Sequence, residues 1–434
     1  MMINVTELKR KVIDEFLISQ PLVTNTPFKS VAKIYTDEST NAEEKNKYSV
    51  KTNDCYPYVS TKDISIKGSV NFENGMYIPK GEKKFSIAPV NSILLCIEGG
   101  NAGNKIAIIK EATCFVNKLC CFDIFGADNR FIYYYLLSNQ FRNNFKEQMT
   151  GLIGGVSVKK LKELILPLPH ITEQKRIADK LDEIFAELDK IDEKQIRLAT
   201  IQEKMEAKIL KLAIQGKLVE QRSEDGTGEE LFKHIQLEKQ ELIKQGKIKK
   251  EKPLPAIEED EVPFEIPSTW KWVRLGDISN YNQRKSKISY KDISLSTWSL
   301  DLEDIEKDTA RIIQKRYAKD REIKGDRYIF NKGQILFGKL RPYLKKYLIA
   351  PGEGVCSMEL IPFDAYGCIS NEYVLYVIRS NYIFTAIDKV CHGVTLPRVS
   401  SDFVCNLAFP LPPVEEQKRI VAKLEELLPL CRGN

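Results

Sequence analysis

Long apolar runs, Cys-x-x-Cys pairs and histidine clusters are all missing from this chain of 434 residues. No apolar run reaches the length of about 18 residues that a membrane-spanning helix needs, so the sequence predicts none. Glu7, Asp14 and Glu15 interrupt the N-terminal stretch, from which we expect no signal peptide. The ten cysteines include no Cys-x-x-Cys pair and there are three histidines, so no zinc pattern forms. We therefore expect a cytoplasmic protein with reduced, buried thiols and no metal site.

Motifs for nucleotide hydrolysis, dinucleotide binding and serine hydrolysis are missing too. The chain has no G-x-x-x-x-G-K-[ST], no G-x-G-x-x-G after a strand and no G-x-S-x-G. It has no NPPY-type tetrapeptide, which argues against a methyltransferase. The segment GGNAGNK (99–105) has the wrong spacing for a phosphate-binding loop, and we interpret it as a turn that brings the backbone close to another group. The carboxylates form no spaced acid–base set, so the sequence predicts no catalytic residue.

One motif occurs twice. Residues 167–188 read PLPHITEQKRIADKLDEIFAEL and residues 410–428 read PLPPVEEQKRIVAKLEELL, at an offset of 243 residues. Upstream, Ser138-Asn139 aligns with Ser380-Asn381 at an offset of 242 residues. Chance similarity of two amphipathic helices does not explain identical Pro-Leu-Pro and Glu-Gln-Lys-Arg strings in register. We interpret the chain as two dissimilar globular segments that end in the same helix.

A long central helix is predicted from Thr172, a candidate N-cap, to about Val219. Apolar residues or glutamine recur with strict four–three spacing at positions 177, 181, 184, 188, 191, 195, 198, 202, 205, 209 and 212. This spacing is typical of a coiled-coil seam, and a helix of about 48 residues would be a rod of about 70 Å. The C-terminal helix continues the same phase and is predicted to stop at Pro429. We expect the terminal helices to pack on the central one within the chain. The alternative is a dimer of chains through the same seam.

A weaker echo aligns residues 13–23 with residues 209–219. If it is real, each half of the chain runs helix, globular domain, Pro-Leu-Pro helix. The predicted fold is therefore α+β, with two globular domains of mixed sheet and helices, separated by long helices that form an antiparallel coiled coil with pseudo-twofold symmetry. A helix at about 130–147 is predicted in the first domain.

Six segments follow from this pattern. They are an N-terminal helix (1–23), a first globular domain (24–166), a long central helix (167–222), a basic helix with a proline-rich linker (223–266), a second globular domain (267–409) and a C-terminal helix (410–434).

Basic turns with interleaved aromatic residues are the candidate binding sites. The net charge of +6 permits a polyanionic partner without requiring one. The densest turn is GKLRPYLKK (338–346), where arginine can bind guanine or phosphate, lysine can neutralise phosphate and tyrosine can stack. VKK (158–160) and TLPR (395–398) hold matching places in the two halves and can bind phosphate. The alternative is a set of solvated turns without a ligand. The candidates are Lys105, Lys159, Lys160, Lys339, Arg341, Tyr343, Lys345, Lys346, Thr395 and Arg398.

The doubled helix motif resembles specificity subunits of bacterial type I restriction–modification systems. The same resemblance extends over LKLAIQGKLVEQ (210–221), EKQELIKQGKIKKEKPLP (238–255), FEIPSTWKWVRLGDIS (264–279) and ILFGKLRPYL (335–344). It implies that the globular segments are target recognition domains, each reading one half of a split double-stranded DNA sequence. It also implies that conserved helices dock two adenine methyltransferase subunits, and that a restriction–translocation subunit can join them.

The resemblance further implies no catalytic residue and no cofactor in this chain. Candidate residues for the coiled coil and for partner docking are Gln174, Arg176, Ile177, Leu181, Ile184, Leu188, Gln417, Arg419, Ile420, Leu424 and Leu427. Two features depart from the family pattern. The first domain lacks the Pro-x-x-Trp opening found at 267–270, and the C-terminal helix is short. A DNA-binding module without working partners and a fused system with methylation and cleavage in one polypeptide remain alternatives.

Overall fold

The computed structural model describes residues 3–18, 23–150, 154–391 and 395–432. Residues 19–22, which belong to the weaker echo, lie outside this description. The chain divides into two compact units, unit 1 (residues 1–197) and unit 2 (residues 198–434). Within the described ranges, no helix is both long and apolar enough to cross a membrane.

Unit 1 is built from short strands and helices. Its helices are α1 (Val5–Ile18), α2 (Ala42–Lys47), α3 (Asn129–Leu137), α4 (Asn139–Glu147), α5 (Val158–Glu163) and the first part of α6 (Ile171–Ile214). Its strands are β1 (Thr24–Pro27), β2 (Ala32–Thr36), β3 (Cys55–Val59), β4 (Tyr77–Pro79), β5 (Ile93–Cys96), β6 (Ile106–Ile108), β7 (Cys114–Phe115), β8 (Leu119–Ile124) and β9 (Ile165–Leu168).

Unit 2 begins within α6 and repeats this construction. Its further helices are α7 (Gly228–Lys244), α8 (Leu275–Ile278), α9 (Asn371–Arg379), α10 (Asn381–Cys391), α11 (Ser401–Cys405) and α12 (Val414–Arg432). Its strands are β10 (Lys271–Arg274), β11 (Lys287–Ile288), β12 (Ser299–Leu300), β13 (Arg327–Phe330), β14 (Ile335–Gly338), β15 (Tyr347–Ile349), β16 (Gly354–Cys356), β17 (Leu360–Phe363) and β18 (Ala408–Leu411).

The repeat in the sequence is a repeat in the sheets. In unit 1, β5 lies between β8 and β6, and in unit 2, β14 lies between β17 and β15, all antiparallel. Each unit also has a short parallel pair, β3 with β7 and β12 with β16. In each, the strand that enters the domain pairs with the strand of the Pro-Leu-Pro motif, β1 with β9 and β10 with β18. The two globular segments of dissimilar sequence therefore share these strand pairings, although other pairings differ, since β4 pairs with β3 in unit 1 whereas β13 pairs with β16 in unit 2.

Helix α1 packs on α6 within unit 1. The Ile3 N–H donates to Gln195 Oε1 at 2.7 Å, and the Lys9 ammonium binds Asp189 at 2.6 Å, so the two helices run antiparallel. The buried Ile13 of α1 shares a core cluster with the α6 side chains that face it. This arrangement confirms the predicted packing of the N-terminal helix within the chain.

Helix α12 packs on α6 within unit 2. Leu424 of α12 is fully buried and shares a core cluster with Leu210 of α6. Gln221, just after α6, donates to Glu416 near the start of α12, so these helices also run antiparallel. The predicted seam of α6 is buried or half-buried at both ends and exposed at three positions in its middle, Ile191, Leu198 and Met205.

Arg274 fixes the proline-rich linker to unit 2. Its buried guanidinium donates to the carbonyls of Pro255, Ala256 and Asn406 and pairs with the Glu261 carboxylate at 2.6 and 2.9 Å. A buried charge is tolerated when it is paired and fully hydrogen-bonded. The segment predicted as an extended linker is therefore held against the second domain.

The predicted helix at 130–147 is wrong, because it is two helices. The Ser138 hydroxyl accepts from the Phe141 N–H at 3.0 Å and caps α4, while the Ser138 N–H donates to the Tyr135 carbonyl. A serine in extended conformation with this pattern ends one helix and starts the next. Ser380 separates α9 from α10 at the matching place, where its N–H donates to the Val377 carbonyl at 3.1 Å.

Both ends of the predicted central helix also need correction. It begins at Ile171, so Thr172 lies inside it and is not the N-cap. It ends at Ile214 because Gly216 adopts a φ of +66°, and the Lys217 N–H turns back to the Leu212 carbonyl at 2.9 Å.

The predicted stop at Pro429 is wrong too, since α12 continues to Arg432. A proline removes one N–H from the helix ladder, but Leu428 and Cys431 on either side of it are buried and hold the last turn in place.

Candidate nucleic-acid interface

The repeated glutamine of Glu-Gln-Lys-Arg joins each globular domain to its helix. In unit 1, the buried Gln174 accepts from the Asp128 N–H and donates to the Pro169 carbonyl, both at 2.8 Å. In unit 2, the fully buried Gln417 makes the same two bonds, to the Ser370 N–H at 3.1 Å and the Pro412 carbonyl at 3.0 Å. Asp128 and Ser370 are the N-caps of α3 and α9. The same joint therefore orients both domains on their helices.

Two candidate segments of unit 2 come together in the structure. The turn at 338–346 pairs with the segment around Arg398 through an isolated bridge between Leu340 and Arg398. The Arg341 N–H donates to the Pro397 carbonyl at 2.8 Å, and the Val399 N–H donates to the Lys339 carbonyl at 3.1 Å. The two predicted basic turns thus form one surface, which we call the unit 2 loop pair (residues 338–346 and 395–399).

Buried side chains under the turn at 338–346 hold the unit 2 loop pair in one conformation. The buried Tyr347 hydroxyl donates to the Pro342 carbonyl, and its ring stacks on Phe337 with centroids 4.6 Å apart. Arg341 and Lys345 both have positive φ angles, of 48° and 52°. Such conformations cost a non-glycine residue about 1–2 kcal/mol and concentrate at binding sites.

The cationic side chains of the unit 2 loop pair fall into two groups. Lys346 donates to the Leu302 carbonyl at 2.6 Å, and burial lowers the pKa of its ammonium. Lys345 lies over the Phe384 ring at 4.3 Å. These two lysines hold the turn in place. Among the residues that the structure describes, the remaining side chains of the turn itself form no hydrogen bond or ion pair, namely Lys339, Arg341 and Tyr343.

Arg398 and Thr395 complete this surface. The exposed Arg398 pairs through Nε with Glu359 at 3.1 Å, which leaves the outer edge of its guanidinium facing solvent. Thr395 is exposed. The groups without a partner are therefore the cations of Lys339 and Arg341 and the phenol of Tyr343, together with the outer edge of the Arg398 guanidinium. Such groups can bind DNA phosphates and base edges.

The glycine-rich turn of unit 1 occupies the place of the basic turn of unit 2. An isolated bridge joins Glu98 to Gly155, as Leu340 is joined to Arg398. The Gly99 N–H donates to the Gly154 carbonyl at 3.0 Å, and the Ala102 N–H donates to the Gly99 carbonyl at 2.9 Å. Arg341 and Leu344 lie 242 residues after Gly99 and Ala102. Their N–H groups make the matching bonds, to the Pro397 carbonyl at 2.8 Å and to the Arg341 carbonyl at 2.9 Å. We call residues 98–104 with 154–156 the unit 1 loop pair.

Backbone conformation supports the same equivalence. Gly99 and Gly103 have φ angles of 86° and 72°, and they align with Arg341 and Lys345, the two positive-φ residues of the unit 2 turn. The two turns share no side-chain chemistry, so their composition does not link them. The signal that links them is the 242-residue offset, which carries through from β5 and β14.

The three candidate lysines of unit 1 differ in whether their ammonium groups already have a partner. Lys105 donates to the Thr61 carbonyl at 2.6 Å, and Lys160 donates to the Gln148 carbonyl at 2.9 Å. Both ammonium groups therefore already have a partner in the fold. Lys159 is exposed on α5.

The apolar residues predicted for partner docking lie inside the units. Buried or half-buried against the domains and helices are Ile177, Leu181, Ile184, Leu188, Ile420, Leu424 and Leu427. Gln174 and Gln417 are used in the joints described above. Of this set, Arg176 is exposed, and it pairs with Glu173 one turn away on the same helix at 2.9 Å.

The matching residues of unit 2 are covered. Arg419 binds the Asp225 carboxylate at 2.5 Å, and Glu416 accepts from the Trp270 indole at 2.9 Å. The Arg419 guanidinium lowers the pKa of Asp225, whereas burial raises the pKa of Glu416. The segment between α6 and β10 thus covers in unit 2 a surface that stays open around Arg176 in unit 1.

The described parts of the chain hold no metal cluster, and most of their thiols are buried, whereas Cys368 is exposed and departs from the expected burial. No group of three or more His, Cys, Asp or Glu side chains there could hold a metal ion. Burial raises the pKa of several thiols, to about 11 for Cys121 and to about 12 for Cys114 and Cys405. These thiols stay protonated near neutral pH and are poor nucleophiles.

Comparisons with known proteins point in one direction. A family model described as "Type I restriction modification DNA specificity domain" matches residues 24–198 and again residues 267–430. Two proteins of Escherichia coli, the "Type I restriction enzyme EcoAI specificity subunit" and its EcoEI counterpart, are each 34% identical over 236 residues. The match spans 52% of this chain but only 40% and 39% of those relatives' own length. The MjaVIII specificity subunit of Methanocaldococcus jannaschii is 22% identical over 396 residues, which are 86% of this chain and 79% of that protein.

The fold has a counterpart among solved structures. A chain from work described as "Structural basis underlying complex assembly and conformational transition of the type I R-M system" aligns with a TM-score of 0.58 and 15% identity. The alignment covers 95% of this chain and 92% of that one.

Proposed function

The chain belongs to the family of type I restriction modification DNA specificity proteins, and we propose that it is a non-catalytic subunit that recognises a split DNA target. Unit 1 reads one half-site and unit 2 reads the other, and the bases between them are not read. The target recognition domains are residues 24–166 and 267–409, as the sequence predicts. The chain itself binds no cofactor, and the methyl donor belongs to a partner.

One observation carries this proposal. The two dissimilar domains present a loop pair at the same place, directly after the matching strands β5 and β14, and the unit 2 loop pair offers free cations and a phenol on a rigid turn. Rigid placement of donors favours sequence-specific binding, because little conformational freedom is lost when DNA binds. A chain that served only as a helical scaffold would need neither domain.

We propose in addition that methyltransferase subunits dock on the helices, one at each unit, and that a restriction subunit can join them. The two docking surfaces differ. At the start of α6, Glu173 and Arg176 are accessible, whereas Glu416 and Arg419 at the start of α12 are bound to Trp270, Gln221 and Asp225. The partner at unit 1 therefore contacts the helix directly, and the partner at unit 2 contacts the covering segment.

Sequencing of methylated DNA tests the proposal. A host that expresses this chain with its methyltransferase subunit should gain methylation at one motif, made of two short half-sites around an unread gap. The same host with the methyltransferase alone is the control. Methylation of an unsplit motif, or an identical pattern with and without this chain, contradicts the proposal. Capture of the methyltransferase without any methylation points instead to a DNA-binding module with an inactive partner.

A further inference from the structure

Gly100 has no reason within its own fold to be a glycine. A Cβ at this position would meet no heavy atom within 4 Å, and its φ lies outside the left-handed range. Its neighbours differ, because Gly99 needs a φ of 86° and a Cβ on Gly103 would lie 3.0 Å from the Phe145 ring. A glycine that neither conformation nor packing requires is typical of a place where a ligand approaches the backbone closely.

Asn101, the next residue, presents a carboxamide to solvent. Its side chain is exposed and makes no hydrogen bond to any residue that the structure describes. Asn104 in the same turn is occupied, since its Oδ1 accepts from Arg142 at 2.7 Å. Asn101 aligns with Tyr343 of the unit 2 turn, one of its freely presented side chains. The carboxamide offers a donor beside an acceptor, the pattern that pairs with the N7 and N6 edge of adenine in the major groove.

The two loop pairs differ in charge. The unit 1 loop pair has one charged side chain, Glu98, which pairs with Lys118 at 3.8 Å. Residues 99–104 carry no charged side chain, and the ammonium of Lys105 is held by the Thr61 carbonyl. The unit 2 turn presents Lys339 and Arg341 without partners in the described structure. Contacts from cations release counterions and make binding depend on salt, whereas a neutral carboxamide does not.

We propose that Asn101 is a specificity-determining residue that contacts an adenine edge in the half-site read by unit 1, and that Gly100 lets the DNA approach the turn closely. The inference rests on the proposed function of the chain as a DNA reader. Unit 1 thus reads its half-site through a neutral turn, and unit 2 reads its half-site through a cationic one.

The first test compares methylated motifs in hosts that express the variants with the methyltransferase subunit. Asn101→Ala should lower discrimination at one position of one half-site by roughly tenfold to a hundredfold and leave the other half-site unchanged. Tyr343→Ala should affect only the other half-site. Asn53→Ala, at another exposed asparagine of unit 1, is the matched control and should change neither.

Three outcomes are decisive. An unchanged motif in Asn101→Ala overturns the base contact. Equal loss of methylation over unrelated sequences also overturns it, because that pattern belongs to a phosphate contact. Absence of a split motif with the unsubstituted chain overturns the proposed function itself, a failure that is seen before any variant is compared.

The second test uses leucine at two glycines that have open space and ordinary φ angles, Gly100 and Gly325. Both variants should unfold at the same temperature as the unsubstituted chain, because neither Cβ meets an atom of the fold. Gly100→Leu should weaken binding of the target duplex by at least about tenfold, and Gly325→Leu should not. Unchanged DNA binding by a folded Gly100→Leu protein overturns the close approach.

Salt dependence separates the two turns. Lys339→Ala should reduce the slope of log K against log salt by about 0.9, while Asn101→Ala should leave the slope unchanged. A reduced slope for Asn101→Ala would overturn the proposal that unit 1 reads its half-site through an uncharged turn.

Discussion

Replacing Gln417 by leucine should destabilise unit 2 strongly. Leucine has a similar volume but removes both hydrogen bonds of a fully buried side chain, so the Ser370 N–H and the Pro412 carbonyl lose their partner. An unsatisfied buried polar group costs about 1–3 kcal/mol, which gives about 2–6 kcal/mol for the two. Because a domain is stable by only about 5–15 kcal/mol, this loss is a large part of the total.

Tryptophan fluorescence during urea unfolding measures this effect in unit 2 alone. All three tryptophans of the chain, Trp270, Trp272 and Trp298, lie in unit 2. Gln417→Leu should move the fluorescence transition to lower urea with an unchanged slope. The matched variant Gln174→Leu should lower the stability of unit 1, seen by circular dichroism, and leave the fluorescence transition in place. A loss below about 0.5 kcal/mol for Gln417→Leu would refute the assignment of these bonds as a structural joint.

Three further predictions concern recognition, spacing and acid stability. Arg341→Ala should weaken binding and alter one half-site only, as read by methylation sequencing, and equal loss on unrelated duplexes would make Arg341 a phosphate contact. Insertion of one heptad into the exposed middle of α6 should lengthen the unread gap by about three base pairs, since seven residues add about 10 Å, and an unchanged gap would contradict this. The Arg274 guanidinium lowers the pKa of Glu261 from 4.5 to about 2, so the pair stabilises above pH 4.5 and this contribution is lost as the pH falls through 2. Glu261→Gln should therefore flatten the loss of stability measured by urea unfolding between about pH 7 and pH 3.

The sequence predicts the α+β class, the two domains and the repeated helix because periodic patterns and identical strings survive in the chain. The sequence does not predict the helix break at Ser138, because aromatic residues continue on both sides of this serine and the pattern looks like one uninterrupted helix. It misplaces the end at Pro429 because burial of Leu428 and Cys431 offsets the lost N–H, and burial depends on tertiary packing.

The sequence predicts which residues belong to the candidate site but not how their side chains are arranged. The turn at 338–346 is recognised by its charges, yet the sequence does not tell that the Lys346 ammonium is bound to the Leu302 carbonyl while the Lys339 ammonium has no partner among the described residues. That distinction depends on which carbonyl lies nearby in the fold. Asn101 is not predicted from the sequence, because a lone asparagine in a glycine-rich turn has no charge that would indicate a binding site. Its position becomes significant only because the backbone of this turn follows the same path as the unit 2 turn.

The glutamine joint has a consequence for how such a protein can evolve. In each unit, both bonds of the glutamine run to main-chain atoms, an N–H at the start of a helix and a proline carbonyl. Main-chain atoms are the same whatever side chains surround them, so the joint places almost no demand on the sequence of the domain it holds. A domain with different side chains can therefore replace the resident one by recombination and still form both bonds of this joint with the unchanged helix.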